Sequence, residues 1–274
     1  MDSKSPKTEL LTSLIRSMTS DCLFIFIILL VMGFGCTQKT EKKFLLADDP
    51  RYQGWDFFTY ENIKIFHQPN HLQQDKFGEV ARMYLKSIDI VTRTLKMPPY
   101  TDTLVVVYYT GYGQGREMTG RDYPFARDSV IYFWLPSFLG PTLMQHLLPR
   151  WLPEEPKYQF LKHGLIALFD FSGQDYHKST QYYIDQGQFM PLGQLAVDTA
   201  INSDKERYQS AEAASFVAYV MANHGISMLK EMYRSRLPFD RMVEELFYMP
   251  VDSLEKRWLA FARQSVPPDT TKQQ

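Results

Sequence analysis

The segments LVVVYY (Leu104–Tyr109) and SVIYFW (residues 129–134) decide the fold. Each is a nearly unbroken run of β-branched and aromatic residues, the pattern of a buried strand. After Pro136 the pattern changes, because apolar residues then recur every three or four positions in one segment after another. The sequence therefore predicts an α+β protein in which strands come first and helices follow.

The segments around these strands complete the predicted order. Residues 57–67 (FFTYENIKIFH) are rich in β-favouring residues and predict another strand. Residues 71–96 have one apolar face and predict a long amphipathic helix. Residues 111–128 are rich in glycine and charge and predict a loop. The helices predicted after Pro136 span residues 140–148, 157–171, 205–223, 225–235, 238–246 and 252–264.

The composition excludes several classes of protein. Of the 274 residues, 45% are hydrophobic and 22% are charged, which excludes a chain disordered throughout its length. The formal net charge of −1 gives no electrostatic case for a nucleic-acid partner. Two cysteines, Cys22 and Cys36, exclude a disulfide scaffold and a zinc site built from thiolates. We therefore expect a globular protein without nucleic acid as a partner.

The first 36 residues resemble the signal peptide of a bacterial lipoprotein. Residues 23–35 (LFIFIILLVMGFG) have no polar side chain, and this run is shorter than the roughly 20 residues that a membrane-spanning helix needs. The small residue Gly35 leads directly into Cys36, whereas Gly33 and Phe34 depart from the usual Leu-Ala/Ser pattern. The alternative is a core helix, but the segment lacks the polar face that a soluble domain would require there.

This resemblance implies where the protein is located in the cell. The first 35 residues would be a removed signal peptide, Cys36 would be lipidated, and residues 36–50 would form a tether. The implied location is the cell envelope, in a lipid-anchored state on the outer membrane, facing the periplasm or the cell surface. The membrane is then a partner through the N-terminal lipid.

The order of elements also resembles the gluzincin zinc metallopeptidases of the peptidase MA-like kind, over roughly residues 55–265. LVVVYY is similar to the family's first core strand, and SVIYFW to the edge strand that lines its substrate cleft. Residues 141–171 (PTLMQHLLPRWLPEEPKYQFLKHGLIALFDF) resemble the block in which HExxH precedes a Trp-Leu segment and an EGLA-type helix. Residues 210–233 are similar to the family's later helix pair. The resemblance implies a zincin-like domain with a small mixed sheet and a long helix before a mostly helical lobe.

At the metal site this sequence departs from the family. In HExxH the two histidines bind zinc from one helix face, and the glutamate between them is the general base. The matching residues here read TLMQH, so that only His146 remains, Thr142 replaces a ligand and Leu143 replaces the base. The third ligand, a glutamate in the family, is His163. Leucine cannot accept a proton, so the resemblance implies an inactive homologue with no metal and no cofactor.

Three other interpretations of the histidines stay open. His146 and His163 could belong to an unconventional metal site of an active hydrolase, with a carboxylate from Glu154 or Glu155 as a further ligand. Alternatively, they could be satisfied, partly buried side chains, or could hold an acidic group of a ligand. Metal content of the purified protein would distinguish an active site from an inactive one.

The former substrate cleft is the predicted binding site. Its candidate residues are Ile131, Phe133 and Trp134 on the expected edge strand, and the ligand would be a peptide, a protein or a glycan. The competing interpretation is that residues 111–128 fold over this edge and close it.

The predicted organisation follows. It consists of a signal peptide (1–35), a tether (36–50), an α/β lobe with a cleft edge strand (51–137), a helical lobe with the degenerate metal-site helices (138–266) and a disordered tail (267–274).

Overall fold

A computed structural model describes residues 49–69, 74–197 and 206–265. The predicted signal peptide, Cys36, nearly all of the tether and the tail lie outside the described residues. No helix in these described ranges is long and apolar enough to cross a membrane. The chain divides into two compact units between Gln53 and Gly54. The described part of the first unit is a short 3₁₀ turn, Pro50–Tyr52, whose cap Asp49 accepts a hydrogen bond from the Arg51 amide (3.0 Å).

The second unit begins with a five-stranded mixed sheet. Its strands are β1 (Asp56–Tyr60), β2 (Ile63–His67), β3 (Leu104–Tyr109), β4 (Phe125–Arg127) and β5 (Val130–Trp134). Their order in the sheet is β1-β2-β3-β5-β4. Strands β2, β3 and β5 are parallel, whereas β1 and β4 run antiparallel to their neighbours.

The described residues also form ten α-helices. They are α1 (Gln74–Thr94), α2 (Tyr112–Thr119), α3 (Leu139–Trp151), α4 (Gln159–Leu168), α5 (Tyr176–Asp185), α6 (Leu192–Val197), α7 (Glu206–Asn223), α8 (Gly225–Arg234), α9 (Phe239–Phe247) and α10 (Val251–Ser265). The α+β class, with a small sheet and a helical C-terminal part, is confirmed.

Helix α1 joins the parallel strands β2 and β3, a connection that parallel pairing requires. Its apolar face, from Phe77 through Tyr84 to Val91, is buried. The single strand predicted for residues 57–67 is instead two strands. The chain reverses at Glu61, whose φ of 50° is in the left-handed region, and this pairs Tyr60 with Ile63.

The predicted edge strand is an interior strand. Strand β5 pairs with β3 on one side and with β4 on the other, so the expectation that residues 129–134 form the edge is wrong. The segment predicted as a loop, residues 111–128, instead forms α2 and then β4, which covers that edge as the competing interpretation held. Asp128 and Ser129 both have positive φ (51° and 69°), the geometry of a tight two-residue hairpin.

Close helix packing holds the helical part together. A Cβ added to Gly164 in α4 would lie 2.5 Å from the Ala213 carbonyl oxygen and 2.8 Å from a Val217 methyl in α7. Only glycine permits this approach, and the sequence supplies it together with the small residues of α7.

Candidate functional site

Helix α3 carries three of the four positions that the gluzincin resemblance assigns to a former metal site. Thr142, Leu143 and His146 are all buried, and Leu143 belongs to the main hydrophobic core. The Thr142 hydroxyl donates a hydrogen bond to the Leu139 carbonyl of its own helix (2.9 Å). The first two positions therefore contribute packing and local hydrogen bonding.

His146 is engaged with Tyr100, which precedes β3. The Tyr100 hydroxyl lies 2.9 Å from His146 Nε2. Burial, then the Arg150 charge, lowers the pKa of His146 to about 4, so the imidazole is neutral near pH 7. Its Nε2 either accepts the phenol hydrogen bond or carries the ring proton itself. In neither state does this nitrogen offer a lone pair to a metal.

An ion pair between Arg150 and Asp102 lies beside Tyr100 and holds its ring in place. The Arg150 guanidinium lies 4.6 Å from the centre of the Tyr100 ring, and its Nη1 donates to Asp102 Oδ2 (2.6 Å). Burial raises the pKa of Tyr100 to about 12, so the phenol keeps its proton. This contact joins α3 to the segment before β3. No sequence pattern indicates this contact, because Tyr100 and His146 are 46 positions apart.

His163 lies on α4 and is partly buried. Burial lowers its pKa, the Lys162 charge lowers it further, and the Glu155 charge opposes both effects. The two carboxylates considered as metal ligands instead form ion pairs with basic side chains. Glu154 pairs with Arg236 (3.1 Å) and Glu155 with Lys162 (2.7 Å).

The described ranges contain no group of three or more His, Cys, Asp or Glu side chains placed to hold a metal. The zinc ion of the gluzincin pattern therefore does not fit the residues present. Thr142 bonds to its own helix, and His146 Nε2 is engaged with Tyr100.

The predicted cleft residues do not line an open cleft. Ile131, Phe133 and Trp134 are 0%, 3% and 1% exposed. Side chains alternate between the two faces of a strand, and both faces of β5 are covered. The Phe133 ring packs near Tyr84 of α1, while Trp134 meets α2 so closely that a Cβ on Gly115 would lie 2.5 Å from its ring.

A pocket of about 260 Å³ lies where β4 meets α3, instead of beside β5. Apolar side chains from α3 and the following loop form much of its wall, with Tyr233 of α8 and three polar residues completing it. The lining residues are Ala126, Gln145, Leu148, Pro149, Leu152, Pro153, Glu155, Lys162 and Tyr233. Neither His146 nor His163 is among them.

One backbone group of the β4 edge is covered by a side chain. The Ala126 amide donates to Gln145 Oε1 of α3 (3.1 Å). In an antiparallel pair, successive residues alternate between facing the partner strand and facing away from it. Ala126 is therefore the residue of this three-residue strand that faces outward, and its N–H is held by an exposed glutamine.

The loop behind the pocket, residues 152–158, is held by reciprocal bonds to the connection between α8 and α9. The Lys157 ammonium donates to the carbonyls of Arg236 (3.0 Å) and Leu237 (2.9 Å). In return, Arg236 Nη1 donates to the Glu155 carbonyl (2.9 Å). The loop is thus tied to this connection by the Lys157 side chain and by the Glu155 backbone carbonyl.

The polar groups of the pocket include one ion pair and one phenol. Lys162 Nζ contacts both carboxylate oxygens of Glu155, at 2.7 and 2.8 Å. The Lys162 side chain is 27% exposed and that of Glu155 is 65% exposed. Burial, and secondarily the charge of Glu155, raises the pKa of Tyr233, so its phenol is protonated and can donate a hydrogen bond.

A serine–histidine pair also occurs in the helical part. Ser215 Oγ lies 2.8 Å from His177 Nδ1 and accepts a hydrogen bond from Trp258 Nε1 (2.9 Å). The pair resembles a nucleophile and its base, but Ser215 is fully buried. A substrate cannot reach this hydroxyl, so the pair serves packing. Sequence reasoning missed the contact because the two residues lie on different helices.

A buried carboxyl connects α7 to the segment before α6. Glu212 Oε1 accepts a hydrogen bond from the Met190 amide (3.1 Å), whereas Oε2 has no hydrogen-bond partner among the described residues. Burial raises the pKa of Glu212 to about 8, against a smaller opposing effect of the Met190 hydrogen bond. Most Glu212 side chains therefore carry a proton at pH 7.

Comparison with known proteins adds no relative to this description. No protein-family model matches the chain, and no curated protein matches it.

Proposed function

We propose that this chain is a lipid-anchored cell-envelope protein that binds an extended peptide segment in the cleft between β4 and α3. It is a degenerate relative of the gluzincin metallopeptidases that has lost zinc and catalysis. The resemblance of residues 141–171 to the HExxH block supports the relationship to gluzincins. The resemblance of the first 36 residues to a lipoprotein signal supports the location in the cell envelope.

The observation that carries the proposal is the contact between Ala126 and Gln145 beside the pocket. A primary amide has the same donor and acceptor groups as a peptide unit. Gln145 Oε1 therefore occupies the place that a carbonyl of an added strand would take. Exchanging one amide for the other conserves the hydrogen bond, and strand addition of this kind is a common mode of peptide recognition.

Loss of catalysis rests on two residues. Leu143 is packed in the core at the position of the general base, and proton transfer by such a base contributes typically ~10²–10⁴-fold to rate. His146, the remaining histidine, is engaged with Tyr100. The active-hydrolase alternative has no comparable contact in its favour.

The test uses two variants of the cleft and an array of extended peptides. Gln145→Ala frees the Ala126 N–H, so peptide affinity should rise several-fold. Ala126→Pro removes that N–H and should abolish binding, while the bonds between β4 and β5 remain, because this amide faces away from β5. Gln181→Ala is the matched control, since Gln181 is a helical glutamine that bonds to Asp185 (2.9 Å) on α5.

Two results would contradict the proposal. Peptide affinity that neither cleft variant changes would place the binding site elsewhere. One tightly bound zinc per chain, together with peptide hydrolysis lost on His146→Ala, would establish the hydrolase alternative.

A further inference from the structure

We infer that the peptide ends in this cleft, with an apolar last side chain in the pocket and its free C-terminal carboxylate on Lys162. The inference rests on the proposed function and names the class of ligand. It follows from the size of the pocket, the chemistry of its walls and the unequal exposure of its ion pair.

The pocket has room for about one large side chain. Its volume is about 260 Å³, whereas sites for drug-sized molecules run from about 300 to 1,000 Å³. Leu148, Pro149, Leu152 and Pro153 provide apolar walls. Burying an apolar side chain against them is favourable.

The place for a carboxylate already exists in this site, and Glu155 fills it. Both oxygens of Glu155 accept hydrogen bonds from Lys162, which is the geometry that a peptide C-terminus would reproduce. Glu155 is the more exposed partner, at 65% against 27%. Exposed ion pairs contribute little to stability, so replacing one carboxylate by another costs little.

The opposite exchange, in which a cationic ligand takes Glu155 and displaces Lys162, is disfavoured. Lys162 is the less exposed of the two, so this exchange would leave a half-buried ammonium without its anion. A ligand carboxylate instead leaves Glu155 free to turn into water. The backbone of Glu155 need not move, because Arg236 holds its carbonyl.

Tyr233 adds a second donor to the site. Its phenol keeps its proton and lines the same pocket as Lys162. Once Glu155 turns outward, Lys162 presents an unpaired ammonium in the pocket that the Tyr233 side chain also lines. Both groups are donors suited to an anion, and hydrogen bonds to a charged partner are the strong ones.

The experiment compares one eight-residue peptide in two forms, ending in leucine with a free carboxylate or with a carboxamide. Binding to the full chain in detergent is followed by fluorescence anisotropy. The carboxylate form should bind about tenfold more tightly, the scale of one charge-assisted hydrogen bond. Lys162→Met should abolish this preference. Glu155→Gln should tighten binding of the carboxylate form several-fold, since the internal competitor is gone.

The controls separate binding from folding. Lys178→Met removes an exposed lysine from α5 and should leave both affinities unchanged. Far-UV circular dichroism and a thermal melt establish that the Lys162 and Glu155 variants are folded. A third peptide with serine as its last residue should bind more weakly than the leucine form if the pocket holds that side chain.

The outcomes distinguish the two proposals. If both leucine peptides bind equally and Gln145→Ala still tightens binding, strand addition stands and the terminal-carboxylate inference is overturned. If binding instead requires Glu155 and a positively charged group on the peptide, the inference is overturned in favour of a cation site. If no peptide binds to wild type or to Gln145→Ala, the proposed function fails and this inference fails with it.

Discussion

Tyr100 and His146 form a contact whose energetics depend on pH. An imidazole buried in its neutral form must be charged when acid protonates it, and the fold opposes that change. His146 has a pKa of about 4 in the fold against 6.5 for an ordinary histidine. The unfolded chain therefore binds more protons between these values, so His146 lowers stability progressively as pH falls from about 6.5 to about 4.

The first prediction concerns this titration. His146→Gln keeps an acceptor for the Tyr100 hydroxyl and removes the ionisable group. Urea denaturation at pH 7 and pH 4.5 should show that the wild type loses more stability in acid than the variant, by about 2–3 kcal/mol. His163, His177 and His224 also have lowered pKa values, so the variant should keep part of the acid sensitivity. Equal losses in the two proteins would contradict the assignment.

The second prediction has the opposite sign and concerns Glu212. The fold raises the pKa of this carboxyl from 4.5 to about 8, so the folded state holds a proton that the unfolded state releases. Stability is therefore lost as pH rises from about 4.5 to about 8. Glu212→Gln keeps an oxygen for the Met190 amide and removes the ionisable group. Between pH 5 and pH 8 the free energy of unfolding of the variant should therefore fall by about 1–3 kcal/mol less than that of the wild type. Thermal melts of both proteins at the two pH values measure this effect. An equal loss of stability in the variant and the wild type would refute the prediction.

The site shows the limit of sequence reasoning at the level of single residues. TLMQH could be placed on a helix, and its resemblance to HExxH predicts that Thr142 replaces a ligand and Leu143 replaces the base. The partner of His146 could not be deduced, since Tyr100 comes from a segment without a pattern of its own. Gln145 was likewise invisible, because its role depends on Ala126 across the cleft.

At the scale of elements, helices α4 and α7 approach closely only because Gly164 has no side chain. The third prediction is that Gly164→Ala destabilises the protein by about 1–3 kcal/mol, as overpacking does. Gly193→Ala is the matched control. Gly193 is also helical, has nothing within 4 Å of an added Cβ, and should be neutral or slightly stabilising. Chemical denaturation of both variants checks the difference, and equal effects would show that α4 and α7 can separate freely.

The elements that sequence reasoning missed share a physical cause. Periodicity located α1, α4, α8 and α9 because each of these helices has an apolar face directed at the core. Helix α5 has only Tyr176 and Thr180 buried, and α2 contains two glycines, so neither shows the pattern. Strand β4 has only three residues, too few for an alternation to be recognised. The gluzincin resemblance implies that β5 is the edge strand, and periodicity offers no β4 to correct this.

At the scale of the whole molecule, we propose that lipid chains on Cys36 attach the folded protein to a membrane. The fourth prediction is that Cys36→Ser abolishes fatty-acid labelling and prevents cleavage of the signal at this site. Multiple acyl chains hold a domain stably, whereas a single chain gives only marginal binding. Metabolic labelling with a palmitate analogue and sequencing of the mature N-terminus measure both effects. Continued labelling of the variant, or a mature N-terminus elsewhere, would overturn the proposal.

The fixed loop behind the pocket has a consequence for binding kinetics. Because Arg236 holds the Glu155 carbonyl and the Lys157 side chain ties the loop to the α8–α9 connection, movement of the Gln145 and Glu155 side chains is enough to admit a ligand. Exposed side chains change rotamer within picoseconds to nanoseconds, far faster than encounters between molecules. Opening of the site therefore does not limit association. Ligands that differ in their last residue should share one association rate, and the chain should discriminate among them by how long each one stays.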